Sequence, residues 1–319
     1  MGLGESIGRR VRLRDIHILS AVVRWGSMAK AAPHLAISQS AVSEAIASLE
    51  DALRVRLLDR NSNGVEPTIY VDALLKRGDV IFDELKQGIK DIEFLSDPTA
   101  GEVRIASQDF LSAWLLPTAI DRLSQQHPQI FVRVSELDIT RLEFRALQER
   151  NVDLVLTRIP RDFEHADLDI EVLFDDPHFV VAGAHSVWAG RRDVILADLV
   201  NEPWTVPPNP VVNAILREAF GAEGLEIPSE RITASSVLLR IHLVATGRFL
   251  SVLSESVLRG VAKQVSFKVL PIELRIKPRP IAILTLKNRT IGPVVQRFIE
   301  HLRTAAKSTS LRAAQDRKE

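Results

Sequence analysis

"AISQSAVSEAIASLE", residues Ala36 to Glu50, pairs a helical apolar spacing with an exposed start built from small and hydroxylated residues. Its inward face runs through Ala41 or Val42, Ala45 or Ile46, and Leu49, and Ser38 stands where a helix N-cap belongs. The exposed face near the helix start offers Ser38, Gln39, Ser40 and Ser43, with no long side chain among them. Such a start suits a helix that enters a DNA major groove by its N-terminal end. Small residues let the backbone approach, and hydroxyls and amides offer donors and acceptors to phosphates and base edges. Gln39 can pair bidentately with adenine, while Ser40 and Ser43 can reach phosphate or either base type.

The residues upstream support that reading. From Leu13 to Val23 apolar residues recur at helical spacing until Gly26 breaks the pattern. Ser27 is placed to cap a second helix, "MAKAAPHL", whose Ala29, Ala31 and Ala32 allow close helix approach. Pro33 lies in the last turn of that helix or ends it early. Two short helices joined by the tight turn "AIS" make a helix-turn-helix. Between Gly8 and Lys30 six bases face one acid, Asp15, a local surplus of five in a chain of zero formal net charge.

The run "LRDIHILSAVVRWGSMAKAAPHLAISQSAVSEAIASLEDALRVRLLDR" closely resembles the N-terminal domain of LysR-type transcriptional regulators. "GSMAKAA", "ISQSAVS", the closing "LE" and the "LLDR" that leads into a wing carry the match, and the resemblance extends over essentially the whole chain. It implies that Ser27, Gln39, Ser40 and Ser43 contact DNA, with Arg60, Asn61 and Asn63 at the wing. Glu44 and Ala45 depart from the basic residue and glutamine common in the family, and Pro67 and Val71 from its leucine and glycine. An acid facing phosphate repels it, so Glu44 points elsewhere or reads a cytosine amino group. The "EPT" variant (Glu66 to Thr68) suggests a subgroup of regulators of aromatic-acid or sugar catabolism.

Pro67 and Thr68 read as a helix start, and the next strong breaker is Pro98. Between them Val71, Leu75, Gly78, Phe82, Leu85, Ile89 and Ile92 alternate spacings of four and three, the period of a coiled-coil seam. A partner chain supplies the body such a helix packs on, and the resemblance implies a dimerising linker helix here. Leu75, Phe82, Leu85 and Ile89 are the candidate seam.

After "DPTAG" (Asp97 to Gly101) strands and helices alternate. "EVRIAS", "IFVRVSE" and "VDLVLTR" read as strands around the helices "FLSAWLLPTAIDRLSQQ" and "ITRLEFRALQER", an order that implies a parallel sheet. A second unit starts near "IEVLFDDPHFVVAGA"; "PIAILTLK" and "GPVVQRFIEHLR" return to the first. Two α/β lobes linked by two crossing strands resemble a type 2 periplasmic binding protein and this family's effector domain. In such sheets ligands sit at carboxyl ends of strands, near helix N-termini. Ser107, Gln108, Thr157, Arg158, Pro207, Asn209, Ser236 and Ser251 fall at such ends and are the candidate effector site. Hydroxyls, helix amides and Arg158 suit a small carboxylate, whereas a neutral sugar uses the hydroxyls without the arginine; Arg158 alternatively pairs with an acid such as Asp162.

With no cysteine there is no disulfide, thiolate chemistry or cysteine metal site. The eight histidines include no pair four residues apart, and no nucleophile elbow, phosphate loop or HExxH run is present. An enzyme is therefore not expected, and neither a metal nor a cofactor. A pure solute binder would need an export signal, which "MGLGESIGRRVRLRDI" does not resemble. The expected protein is α/β with an N-terminal, all-α winged helix-turn-helix. Its expected division is DNA-binding domain 1–67, linker helix 68–97, effector domain 98–305 and disordered tail 306–319. Lobe I comprises about 101–170 and 275–305, and lobe II about 171–274. The expected protein is a cytoplasmic homodimer, assembling to a homotetramer, on a roughly palindromic double-stranded promoter site, with RNA polymerase as a further partner and no membrane association.

Overall fold

The structure, a computed structural model, describes residues 10–61, 64–137, 144–208, 210–261 and 265–315. The chain divides into two compact units, Met1–Ile89 and Lys90–Glu319.

In the first unit α1 (Leu13–Trp25), α2 (Met28–His34) and α3 (Gln39–Leu53) enclose a small core, followed by the hairpin β1 (Leu58–Asn61) and β2 (Gly64–Pro67). Leu19, Val22, Ala31, Val42, Ile46 and Leu49 are fully buried in it. Val42 and Ile46, rather than Ala41 and Ala45, therefore form the inward face of α3. Pro33 lies within α2. Gly26 ends α1 in the left-handed region, and its carbonyl accepts a hydrogen bond from the Val65 amide at 3.2 Å. A Cβ at Gly64 would lie 2.5 Å from that carbonyl oxygen, so only glycine lets the wing lie against the α1–α2 turn. The base of the wing is held by Glu50, whose Oε1 accepts from the amides of Leu57 at 2.7 Å and Leu58 at 3.1 Å.

Helix α4 (Ile69–Ser96) has 28 residues, about 42 Å at 1.5 Å per residue. Val71 is buried in the same core as α1 to α3, with Leu74 and Leu75 packed against it. Gly78 admits Ile16, whose Cγ2 would lie 2.9 Å from an added Cβ. The Phe82 ring meets His17 edge-on at 5.7 Å. The regular seam read from sequence thus splits. Leu75 and Phe82 pack on their own unit because α1 lies along this half of the helix, whereas Leu85 and Ile89 are 53% and 51% exposed.

The second unit contains two five-stranded sheets. The first has β3 (Ala100–Ser107), β4 (Gln129–Glu136), β5 (Leu154–Arg158), β6 (Leu168–Asp176) and β12 (Arg279–Leu286), in the order β4-β3-β5-β12-β6. The second has β7 (His178–Gly183), β8 (Trp204–Val206), β9 (Glu230–Thr233), β10 (Leu250–Ser254) and β11 (Phe267–Val269), in the order β11-β7-β10-β8-β9. Parallel pairing holds for β3 with β4 and β5. β12 is antiparallel to both its neighbours, because it re-enters the first sheet from the second lobe.

Four sequence expectations change here. β6 runs to Asp176 in the first sheet, so the crossover falls at Pro177 rather than near residue 171. The helix expected from Phe110 is a 3-10 turn, Asp109–Ala113, then α5 (Leu115–Gln126), divided at Trp114 (φ −149°, ψ −61°). Of the helix expected over 139–150, the described residues form only the single turn α6 (Arg145–Gln148). The tail expected to be disordered from 306 instead continues α10 (Pro293–Gln315). Ala305 and Ala306 are buried, which anchors the helix beyond residue 305; residues 316–319 lie outside the described residues.

Candidate functional site

Two regions bring the candidate residues together, one in each unit. At the start of α3, Ser38 is extended (φ −74°, ψ 155°) and its Oγ accepts from the Ala41 amide at 3.2 Å. The same hydroxyl lies 2.9 Å from Ser40 Oγ. Gln39 and Ser40 are exposed and Ser43 is half-buried, one turn beyond Gln39. Glu44, also exposed, shares the face of Ser40. Ser27 holds the N-cap position of α2, yet its side chain caps no amide. Arg60 and Asn61 are on β1, opposite Val65 and Gly64; Asn63 lies outside the described residues. Sequence reasoning missed the stack of Trp25 on His34, with ring centres 3.7 Å apart and planes within 5°, which ties α1 to α2.

In the second unit a cavity of about 470 Å³ is lined by residues of both sheets' elements. Of the expected effector residues Gln108, Arg158 and Pro207 line it. Gln108 Oε1 accepts from Thr157 Oγ1 and the Arg158 amide, each at 2.8 Å, which fixes the β5 end. Ser107, Thr157, Ser236 and Ser251 do not line the cavity. Their hydroxyls serve the fold: Ser251 donates to Thr205 O at 2.8 Å, and Ser236 caps α8 (Val237–Ala245), accepting from the Leu239 amide at 3.3 Å. Strand-end position alone did not reveal that these side chains take partners within the fold. Asn209 lies outside the described residues.

Arg158 departs furthest from its expected role. Its Nη2 pairs with Asp176 at 2.5 Å, not with Asp162, and its guanidinium lies 4.2 Å over the Phe110 ring. Asp176 also accepts from Ser256 N at 2.9 Å and Ser256 Oγ at 2.7 Å. Burial pushes the Arg158 guanidinium down from its ordinary value, and Asp176 opposes that.

The cavity wall holds groups that sequence reading did not single out, chiefly Asp109, Phe110, His178 and Arg240. Arg240 is 6% exposed, and its pKa is lowered to about 10 by burial, opposed by Asp109 and assisted by Arg158. It remains a cation at neutral pH. Burial, then the charges of Arg158 and Arg279, hold His178 well below the ordinary histidine value, so it is neutral. Asp109 Oδ2 accepts from the Val237 amide at 3.1 Å, placing a protein carboxylate on the N-terminus of α8. No sequence signal marks Arg240 or His178 apart from other arginines and histidines, since only the fold brings them to one wall. Among the described residues no group of His, Cys, Asp or Glu is placed to hold a metal ion, and no helix is long and apolar enough to cross a membrane.

Comparison with known proteins places both regions in one context. The family model for the LysR substrate binding domain matches residues 96–307, and that for the bacterial regulatory helix-turn-helix protein, lysR family, matches residues 13–70. The HTH-type transcriptional regulator GbpR of Azospirillum brasilense is 24% identical over 307 residues, covering 96% of this chain and 89% of that one. A full-length OxyR variant from Pseudomonas aeruginosa shares the fold with a TM-score of 0.63 and 20% identity, over 93% of this chain and 95% of that one. Full-length CbnR, solved in complex with its target DNA, shares it with a TM-score of 0.52 and 22% identity, over 93% and 100%.

Proposed function

Since the chain belongs to the LysR family of DNA-binding transcriptional regulators and is not an enzyme, we propose that it reads a roughly palindromic promoter as a homodimer, paired into a tetramer, and is switched by a small carboxylate between its lobes. The observation that carries the effector half is the cavity itself: about 470 Å³, bounded by both sheets' elements and holding the buried cation Arg240. Gln39 and Ser40, exposed at the start of α3, are the base readers, with Ser43, Ser27, Arg60 and Asn61 on the backbone. Residues 1–67 bind DNA, 68–97 join two chains, and 98–305 hold the effector in the cytoplasm.

The mechanism is a shift between lobe arrangements. A ligand that touches both lobes favours the arrangement it binds more tightly, by no more than its differential affinity. A hundredfold preference, about 2.8 kcal/mol, suffices to repopulate a closed state and alter the spacing of the DNA-reading helices. Competition binding of Gln39→Ala against operator and scrambled duplex tests the DNA half. The expected loss is about 1–3 kcal/mol on the operator and little on the scrambled duplex; equal losses on both would remove Gln39 from base reading.

A further inference from the structure

Basic residues that carry buried nitrogens without partners line the interlobe cavity. Among the described residues seven buried side-chain atoms lack a hydrogen-bond partner, and three of them, Arg158 Nε, His178 Nε2 and Arg240 Nε, belong to residues lining this one wall. Buried polar groups are nearly always satisfied in folded proteins; these three atoms are themselves closed off from the cavity, but they mark a wall whose basic side chains are short of acceptors.

The charges narrow the class. Arg158 is matched by Asp176, whose side chain is fully buried. Arg240 has no salt bridge among the described residues. The acid whose charge acts on it, Asp109, is exposed and engages the Val237 amide. Two buried guanidiniums thus face one buried carboxylate, leaving one positive charge without a buried counterpart. The N-terminus of α8 already has its carboxylate in Asp109, so a ligand's acid group falls to Arg240. Asp109 and Glu136, both exposed at the wall, repel a second negative charge. Most of the remaining wall is apolar, from Phe110, Leu137, Val237, Val252, Leu253 and Val257, with Gln108, Ser235 and Ser254 as its other polar members.

We infer that this cavity takes a monocarboxylate with an apolar body, its carboxylate paired with the Arg240 guanidinium, and that it discriminates against dicarboxylates and uncharged analogues. The inference rests on the effector reading above and specifies its ligand. A charge-assisted pair formed out of water supplies the selectivity, because an uncharged head leaves the arginine unmatched.

Calorimetry on the full-length protein with benzoate, hexanoate, benzamide and adipate tests it. Benzoate or hexanoate is expected to bind at least about tenfold more tightly than benzamide and adipate, with Arg240→Met abolishing that preference. Arg240→Met loses no partner of its own charge and is expected to fold, with circular dichroism as the check. Arg240→Lys, which keeps the charge, is expected to retain part of the preference. Benzamide or adipate binding as tightly as benzoate, no binding by either monocarboxylate, or a preference unchanged in Arg240→Met would overturn the inference. Operator affinity with and without benzoate separates the two claims. Binding through Arg240 that leaves operator affinity unchanged supports the site and sinks the effector reading. Arg240-independent binding of benzamide that alters operator affinity does the reverse.

Discussion

Arg158 and Asp176 meet at 2.5 Å where the first sheet hands the chain to the second, and the Asp176 side chain is wholly buried. The pair belongs to the architecture of the lobe junction. Replacing Arg158 by Met leaves a buried carboxylate with only Ser256 as a partner, and breaking a buried pair in this way costs about 3–5 kcal/mol. Urea unfolding of Arg158→Met should show that loss, and Arg158→Met with Asp176→Asn should recover part of it. A single variant within about 0.5 kcal/mol of wild type would show that the pair holds nothing.

His178 makes stability depend on pH. Burial, Arg158 and Arg279 keep it neutral in the folded state well below the ordinary value of about 6.5. As pH falls below about 6.5 the unfolded chain takes up a proton that the folded chain refuses. Folding stability therefore falls from there toward the folded pKa, by up to about 1.4 kcal/mol per pH unit, and this contribution is flat above. Unfolding midpoints of wild type and His178→Gln at pH 7.5, 6.5 and 5.5 should diverge only on the acid side; parallel curves refute the assignment.

Two glycines in α4 separate propensity from packing. Gly88 has nothing within 4 Å of an added Cβ, so Gly88→Ala should stabilise the protein by up to about 1 kcal/mol. At Gly78 the same methyl would meet Ile16 Cγ2 at 2.9 Å, and α1 must give way. Thermal melts should rise for the first variant and fall or stay level for the second. Equal gains would mean that α1 and α4 are not in tight contact.

The half-exposed Leu85 and Ile89 are the surface through which α4 joins its partner chain in the proposed dimer. Leu85→Glu should shift light scattering to the monomer mass while circular dichroism stays unchanged. Phe82→Glu should instead lower the melting temperature, since Phe82 packs on His17 of its own unit. A Leu85→Glu protein of unchanged mass moves the seam elsewhere.

Glu50 holds the base of the wing through the Leu57 and Leu58 amides. Glu50→Ala leaves the Leu57 and Leu58 amides without their acceptor, a loss of about 1–3 kcal/mol if both stay buried. Operator and scrambled-duplex affinities should fall together; loss confined to the operator would make Glu50 a base-reading residue.

The sequence by itself determined the elements whose residues act locally. Ser38 caps α3, the 3.6-residue period turns one apolar face of α3 inward with Leu49 on it, and Gly26 ends α1, each set by neighbours within a turn or two. The alternation of β3, β4 and β5 was legible for the same reason, as was the two-lobed order. Tertiary structure decided which strand-end side chains see the cavity. Ser107, Thr157, Ser236 and Ser251 satisfy groups of the fold, whereas His178 and Arg240, 62 positions apart, share one wall. It also decided that Arg158 pairs with Asp176 rather than Asp162, and that half of the α4 stripe packs on α1. Spacing reports the face a residue occupies on its own element. What meets that face depends on where distant elements come to rest, and burying charge in water's absence then makes each such meeting decisive.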